Sequence, residues 1–466
     1  MGGGGEATET PNIDRLRTAA AFILMHTDDR FHRIRAAAPR ESLFAEKEWL
    51  VSPRPFVIDA TLLEQLEKLG HRLLLFQRAC NELYQLSITN RAPGWIADYV
   101  DRGKPPELIA FSRRKAFRGD IPLVIRPDLV LTDEGFTIAE VDTVPGGIGL
   151  TAWLNQTYAQ FETDDVIGGS RGMIEGFHAI LGGGPADILV SQEAATYRPE
   201  MEWLAGQLAT APGDSPLRVL PAETYEAPGA SESGPRAVYR FFELFDLPNL
   251  PTAGGLLDAI ASQTVRVTPP IKPYLEEKLW FALFWMRPLR ELWRRELGER
   301  HFLELQKHIP YTWIFDPAPL PQHAVIPGLE INGWDELAHF SQKQRDLILK
   351  ISGFSELGWG SRSVVLGSDA PQAEWQAAVA LALESFPHHP YILQRFHKGR
   401  LVEQPFYSPD GSSVGIMRGR VRLCPYYFII DGKAHLRGAL ATVCPADKKL
   451  LHGMKDAILV PTAVSG

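Results

Sequence analysis

The chain has 466 residues, of which 45% are hydrophobic and 22% charged, with a formal net charge of -8. The length allows about two or three domains, and the acidic balance argues against nucleic acid or an anionic membrane as partner. No apolar run approaches the roughly 18–20 residues of a membrane span, no signal peptide is visible, and the three scattered cysteines Cys80, Cys424 and Cys444 suit reduced thiols in a cytoplasmic protein better than a disulfide framework.

Residues 10–120 read as mostly helical. The clearest helix begins near Asp59, where Thr61 and Glu64 have capping-box spacing. Leu62, Leu66, Leu69, Leu73, Phe76, Cys80 and Leu83 then recur at three and four, which predicts one buried stripe. A basic cluster, Arg113, Arg114, Lys115 and Arg118, follows; most such clusters are solvated, though this one could help hold an anionic substrate.

The most informative stretch is 124–149, VIRPDLVLTDEGFTIAEVDTVPGGIG. Apolar residues alternate on both sides of Asp133-Glu134-Gly135, which predicts two strands closed by a three-residue loop with Gly135 in the left-handed conformation. That closure sets Asp128 opposite Glu140 and Arg126 opposite Asp142. One face then carries three carboxylates and one guanidinium together with Val124, Val130, Phe136 and Ile138. The other face carries Ile125, Leu129, Leu131, Ala139 and Val141. A hairpin apolar on both faces is usually buried, and buried carboxylates repel unless a positive group neutralises them. Arg126 supplies one charge, and the alternative to further chemistry is an Arg–Asp ion pair on a partly wet hairpin. A divalent cation would supply the rest. Because Mg²⁺ uses one or two carboxylates plus phosphate oxygens, the pattern favours a Mg²⁺-nucleotide site with Arg126 near a transferring phosphoryl group.

Beyond the hairpin, the glycine loop 144–149 feeds a helix at 151–158, where backbone amides can bind an anion or simply make a tight turn. Residues 185–270 read as a small α/β lobe with a parallel sheet: strands at 187–191, 217–220 and 264–267, a helix at 200–208, and a surface loop at 226–235. Arg240, inside the aromatic run VYRFFELFD, is either a substrate anchor or a core ion pair with Glu243 or Asp246. Residues 272–305 are helical and aromatic, with Lys278 behind Glu276 and Glu277. A strand ending in Lys350 leads to a loop with Gly353, Gly358, Gly360, Ser361 and Arg362, in which glycines let backbone amides approach phosphate and the lysine supplies a point charge. A helix at 374–384, a strand at 391–396 and two long strands within 415–442 complete the chain, with Arg418, Arg420 and Arg422 on one face.

This order of parts resembles the ATP-grasp superfamily in its circularly permuted form, as in the synthetase domain of glutathionylspermidine synthetase and related carboxylate–amine ligases. Arg126-Pro127-Asp128 and Glu140-Val141-Asp142 match the strands that hold metal and phosphates there. Glu277-Lys278 and Ile309–Thr312 resemble the first nucleotide lysine and the entry to the small lobe. Lys350 with Gly353, Gly358, Gly360 and Ser361 resembles the second lysine and its phosphate-covering loop, and Gln394-Arg395-Phe396 resembles the adenine-reading hinge. Arg422 or Arg420 resembles the phosphate-facing arginine of a late strand. Two positions depart: Asp142 stands where the family usually has Asn, and Pro127, replacing an aromatic, suggests an edge or bulged position.

The resemblance implies an α+β / α/β fold: a helical N-terminal region (1–115), a first part of the ATP-grasp core with the hairpin (116–165), an inserted Rossmann-like α/β lobe (166–270), and nucleotide-binding lobes with the remaining core strands (271–466). It also implies an ATP- and Mg²⁺-dependent ligase that joins a small-molecule or peptide carboxylate to an amine through an acylphosphate. Asp128, Glu140 and Asp142 would hold Mg²⁺, and Lys278 and Lys350 the polyphosphate. Arg126 and Arg422 would face the transferring group, and Arg240 is the first candidate for a substrate contact. Two other readings stand beside it. One is a nucleotide-binding protein or phosphotransferase on the same scaffold; the other is a serine hydrolase built on Gly168-Gly-Ser170-Arg-Gly172.

Overall fold

A computed structural model describes residues 27–37, 48–161, 165–209, 215–229, 234–358, 362–452 and 455–465. The clearest predicted helix is Ala60–Ile88, 29 residues long, with every residue of the leucine stripe buried. Its cap is Asp59, whose carboxylate accepts the Leu62 amide at 2.7 Å, so Thr61 falls inside the first turn rather than at a capping box. The helix lies on the largest sheet. Tyr427 OH donates to the Leu66 carbonyl at 2.6 Å, and a Cβ on Gly70 would come within 2.4 Å of the Tyr427 ring. Among the described residues of the N-terminal region, Thr27–Ala37, Trp95–Val100 and Pro106–Ser112 are also helical.

That sheet has eight strands. Along its main path run Phe56–Ile58, Ile458–Val464, Lys433–Pro445, Val414–Ile430, Val124–Thr132 and Gly135–Asp142. Val402–Tyr407 pairs with Val414–Ile430, and Asp165–Val166 pairs with Ile458–Val464. The two long strands form a hairpin closed by Asp431 and Gly432, both left-handed (φ 50° and 72°), the geometry a two-residue turn needs to match strand twist. Ile458–Val464 and Val402–Tyr407 were not anticipated.

A second sheet is antiparallel, in the order Val365–Leu366, Leu347–Ile351, Tyr391–Arg395, Thr312–Ile314. The third is parallel, in the order Leu217–Pro221, Ala186–Val190, Arg236–Phe241, Val265–Thr268, with the helix Arg198–Gly206 beside it. The three predicted strands of this lobe are present. Arg236–Phe241 was hidden in the aromatic run, because a strand buried on both faces reads as a continuous apolar stretch without alternation. The predicted helical region 272–305 is broken into Leu279–Trp285, Arg290–Leu297 and Glu299–His308, interrupted at Pro288 and at Gly298 (φ 76°). Among the described residues, no helix is long and apolar enough to cross a membrane.

Candidate active site

The hairpin pairs as expected where it matters: Arg126 faces Asp142 and Asp128 faces Glu140. The route to that pairing differs. Thr132 pairs with Gly135, so the loop has two residues, and the missing residue reappears as a β-bulge at Ala139, between the pairs Asp128–Glu140 and Leu129–Ile138. One extra residue inverts the facing of everything on its far side. Phe136 and Ile138 therefore share a face with Leu131 and Leu129, and not with the carboxylates as predicted. The bulged carbonyl, freed from the ladder, accepts from Lys350 Nζ at 2.8 Å.

Pro127 is not at an edge. Its strand lies inside the sheet, and pairing to Val414–Ile430 holds at Val124–Ile125 and again at Leu129–Val130 but lapses between them. The same register sets Pro127 against Pro425. Neither can donate, so the ladder opens beside Arg126 and Asp128.

Four cations meet three carboxylates at this opening. Arg126 Nη2 lies 3.2 Å from Asp128 and 3.0 Å from Asp142, and Nη1 donates to the Gly146 carbonyl at 3.1 Å. Arg422 Nη1 reaches Asp128 at 3.1 Å, and Lys278 Nζ reaches Glu140 at 2.7 Å. Of the two late arginines it is Arg422 that faces the site. Arg420 is buried against the carbonyls of Gly399 and Ala446, and Arg418 is exposed. Arg126, Asp128, Glu140, Asp142, Lys278, Lys350 and Arg422 line one cavity of ≈ 640 Å³ with Gly353 and Gly358.

The electrostatics follow from burial and these pairs. Burial would raise the Asp128 carboxyl, but Arg126 and Arg422 hold it below the usual carboxylate range. Asp142 goes the other way: burial outweighs Arg126, and Glu140 adds repulsion. Burial would lower the Arg126 guanidinium, yet Asp128 and Asp142 keep it well above its ordinary value. Lys278 is likewise held up by Glu140 against burial. Lys350 is pushed down to about 8 because burial and Lys278 prevail over Glu140 and Asp128. Cys424, not anticipated here, is pushed by burial and by Asp128 up to about 12, and its neutral thiol donates to Asp128 at 3.3 Å. Cys444 lies on the neighbouring strand but pairs with Arg420, too far along for a disulfide with Cys424.

Several predicted residues lie elsewhere. Gln394 is buried with its amide on Thr312 (3.0 Å), the Phe396 amide donates to the Asp346 carbonyl, and neither lines the cavity. Gly360 and Ser361 fall outside the described residues. Arg240 is 0% exposed and bonded to Glu276 and to the carbonyls of Pro269 and Phe242. It is a core ion pair, with a partner other than the two expected, and not a substrate contact. Ser170 sits on an exposed turn with no hydrogen bond to a histidine or carboxylate among the described residues, so the hydrolase reading has no triad behind it. Of the basic cluster, Arg113 pairs with Asp101 and Arg118 with Glu82. The helix start after the glycine loop already has an anion: Glu200 accepts the amides of Gly147 (2.8 Å) and Leu150 (3.1 Å).

Among the described residues, no three His, Cys, Asp or Glu side chains come together as a metal cage. Asp128 and Asp142 are engaged through both oxygens, whereas Glu140 is held, among the described residues, through one oxygen only and is 37% exposed. The donors suit a hard cation that arrives with phosphate oxygens and needs one or two carboxylates, rather than one bound by protein alone. Orphaned polar atoms point the same way: among the described residues, Arg126 Nε and Arg422 Nε are buried without partners, as is Thr442 Oγ1 at the cavity wall.

No protein-family model and no curated protein matches this chain. Among solved structures, a glutathione synthetase-like effector from Globodera pallida in its apo form aligns over 96% of this chain and 98% of its own, with a TM-score of 0.53 at 12% identity. A candidate gamma-glutamylcysteine synthetase from Methylobacillus flagellatus KT aligns over 86% of this chain and 87% of its own, with a TM-score of 0.37 at 13% identity, too low to carry an argument. The first likeness shows a shared fold and nothing finer.

Proposed function

We propose that this chain is an ATP- and Mg²⁺-dependent carboxylate–amine ligase on a circularly permuted ATP-grasp scaffold. The observation that carries the reading is the convergence of Lys278, Lys350, Arg126 and Arg422 on Asp128, Glu140 and Asp142 in one cavity, although Arg422 and Asp128 are 294 positions apart. When bound, Mg-ATP would supply the phosphoryl group that turns a substrate carboxylate into an acylphosphate, leaving ADP, and the amine would then attack the acyl carbon and displace phosphate. The chain's own residues have electrostatic and positioning work to do, as phosphoryl transfer requires. Lys278 and Lys350 neutralise the polyphosphate. Arg126 and Arg422, now paired with Asp128 and Asp142, would hold phosphoryl oxygens, and Asp128, Asp142 and Glu140 would hold the cation. Gly353 and Gly358 belong to a loop suited to excluding water. Gln394 lies on the strand paired to that of Lys350 and Phe396 directly follows it, and backbone groups of this segment would read the adenine edge.

Incubation of the protein with Mg-ATP and a panel of carboxylates and amines tests this reading. ADP release should require both substrates. AMP with pyrophosphate would overturn the acylphosphate route, and ADP formation with a carboxylate alone would indicate a phosphotransferase. Glu140→Gln should abolish turnover with the fold intact; retained activity would sink the metal assignment.

A further inference from the structure

Lys104 follows the helix Trp95–Val100, far in sequence from the cavity, yet its side chain is 0% exposed and ends on Glu277, which is 1% exposed. Its backbone is pinned there: Gly103 has φ +73°, and a Cβ on it would overlap the His388 carbonyl oxygen at 1.7 Å. A buried Lys–Glu pair does not recover its desolvation cost unless further hydrogen bonds complete it. Here they do. Glu277 Oε1 accepts from Lys104, and Oε2 accepts from the Ser352 hydroxyl. Ser352 Oγ in turn accepts the Leu279 amide at 2.9 Å, and its carbonyl accepts the Lys278 amide at 3.1 Å.

One carboxylate thus ties the residue before Lys278 to the second residue after Lys350. The chain then passes directly over it, for a Cβ on Gly353 would lie 2.9 Å from the Glu276 carbonyl and 3.1 Å from Glu277 Oε1. Phe354 comes next, in a left-handed conformation (φ 44°) that a bulky residue adopts only under constraint. Lys104 Nζ sits 5.5 Å from its ring centroid. Lys278, Lys350, Gly353 and Phe354 line the cavity; Lys104, Glu277 and Ser352 stand behind it.

We propose that Glu277, clamped between Lys104 and Ser352, is a positioning residue for Lys278 and Lys350. Through Lys104 the helical region thereby sets how tightly the cavity holds a nucleoside triphosphate. The inference rests on the nucleotide reading above. A pair that served stability alone would be replaceable by apolar groups of similar size without loss. The double variant K104M/E277L separates the two roles, and S352A, which removes one hydroxyl and leaves the ion pair, is a milder second probe.

Two measurements apply to each folded variant: Mg-ATP affinity by calorimetry, and acetylation rates of Lys278 and Lys350 in nucleotide-free protein by mass spectrometry. Lys343, exposed and away from the cavity, serves as the internal control. Positioning predicts a Kd for Mg-ATP weaker by about tenfold or more, with faster acetylation of both lysines and cooperative unfolding retained. Wild-type affinity and labelling in the folded variants would reduce the clamp to a structural role. Should the double variant not fold, S352A decides alone. If the wild-type protein binds no Mg-ATP, the nucleotide reading fails, and the labelling rates still decide whether Glu277 positions the lysines.

Discussion

Arg126 serves two carboxylates that respond to it differently, because one has further help and the other does not. Asp128 also has Arg422, so its folded-state pKa lies below the unfolded value; that stabilisation is present above about pH 4 and is lost as pH falls through the folded value. Asp142 has burial and Glu140 against it, so its folded-state pKa is raised, and its ionised form costs stability that returns as pH falls. Asp128→Asn should therefore destabilise the ligand-free protein by about 3–5 kcal/mol, the usual cost of leaving buried charge uncompensated. Asp142→Asn should raise the unfolding midpoint at pH 7, since Asn can still accept the Val144 amide that Asp142 accepts at 2.8 Å. Thermal melts of the two variants check both signs, and a less stable Asp142→Asn would contradict the charge argument. Lys350 is the complementary case. With its pKa near 8 against about 10.4 unfolded, the unfolded chain binds the extra proton between those values, so its contribution to stability improves as pH rises through that window. A polyphosphate favours the charged form, so Mg-ATP binding near pH 8.5 should take up protons. Calorimetry in two buffers of different ionisation enthalpy measures this, and an uptake of zero would remove Lys350 from the phosphate site.

In the hairpin, the bulge at Ala139 is what ties the element to Lys350. Deleting Ala139 leaves Asp128 opposite Glu140 and Leu129 opposite Ile138, so the hairpin and its buried face survive. What disappears is the carbonyl that accepts from Lys350. A hydrogen bond from a charged donor is worth about 1.5–3 kcal/mol, and the deletion should lower stability by roughly that amount while leaving the circular dichroism spectrum unchanged. A loss of strand content would mean that the bulge holds the hairpin itself. Only part of this geometry was legible in sequence. Alternation and Gly135 were enough to pair Arg126 with Asp142, but a two-residue loop followed by a bulge and a three-residue loop without one give the same pairing at the carboxylates, and only packing distinguishes them. Pro127 was legible as a break in the ladder. That Pro425 faces it was not, because nothing local links strands so far apart. The strand Arg236–Phe241 escaped for the opposite reason, having no polar face to give it a period.

Across the whole molecule, the cavity draws on all three sheets: Arg126, Asp128, Glu140 and Arg422 from the eight-stranded one, Lys350 and Ile351 from the antiparallel one, and Phe241 from the parallel one. Partners such as Arg422 and Asp128, or Lys104 and Glu277, lie 294 and 173 positions apart. Local spacing cannot supply such pairs; the resemblance in the order of parts put Asp128, and Arg422 or Arg420, at one nucleotide site without pairing them, and assigned nothing to Lys104. A ligand held by all three sheets stabilises them as a unit, since binding to the folded state alone adds RT ln(1 + [L]/Kd), about 2.7 kcal/mol at a hundredfold excess over Kd. Hydrogen exchange with and without Mg-ATP should then show protection in Val124–Thr132, Leu347–Ile351 and Arg236–Phe241 together. The same gain should shift the denaturant midpoint of a single transition. Protection confined to Leu347–Ile351 and its sheet would mean that the nucleotide touches one lobe only, and the convergence of cations on the hairpin carboxylates would then need an explanation other than phosphoryl transfer.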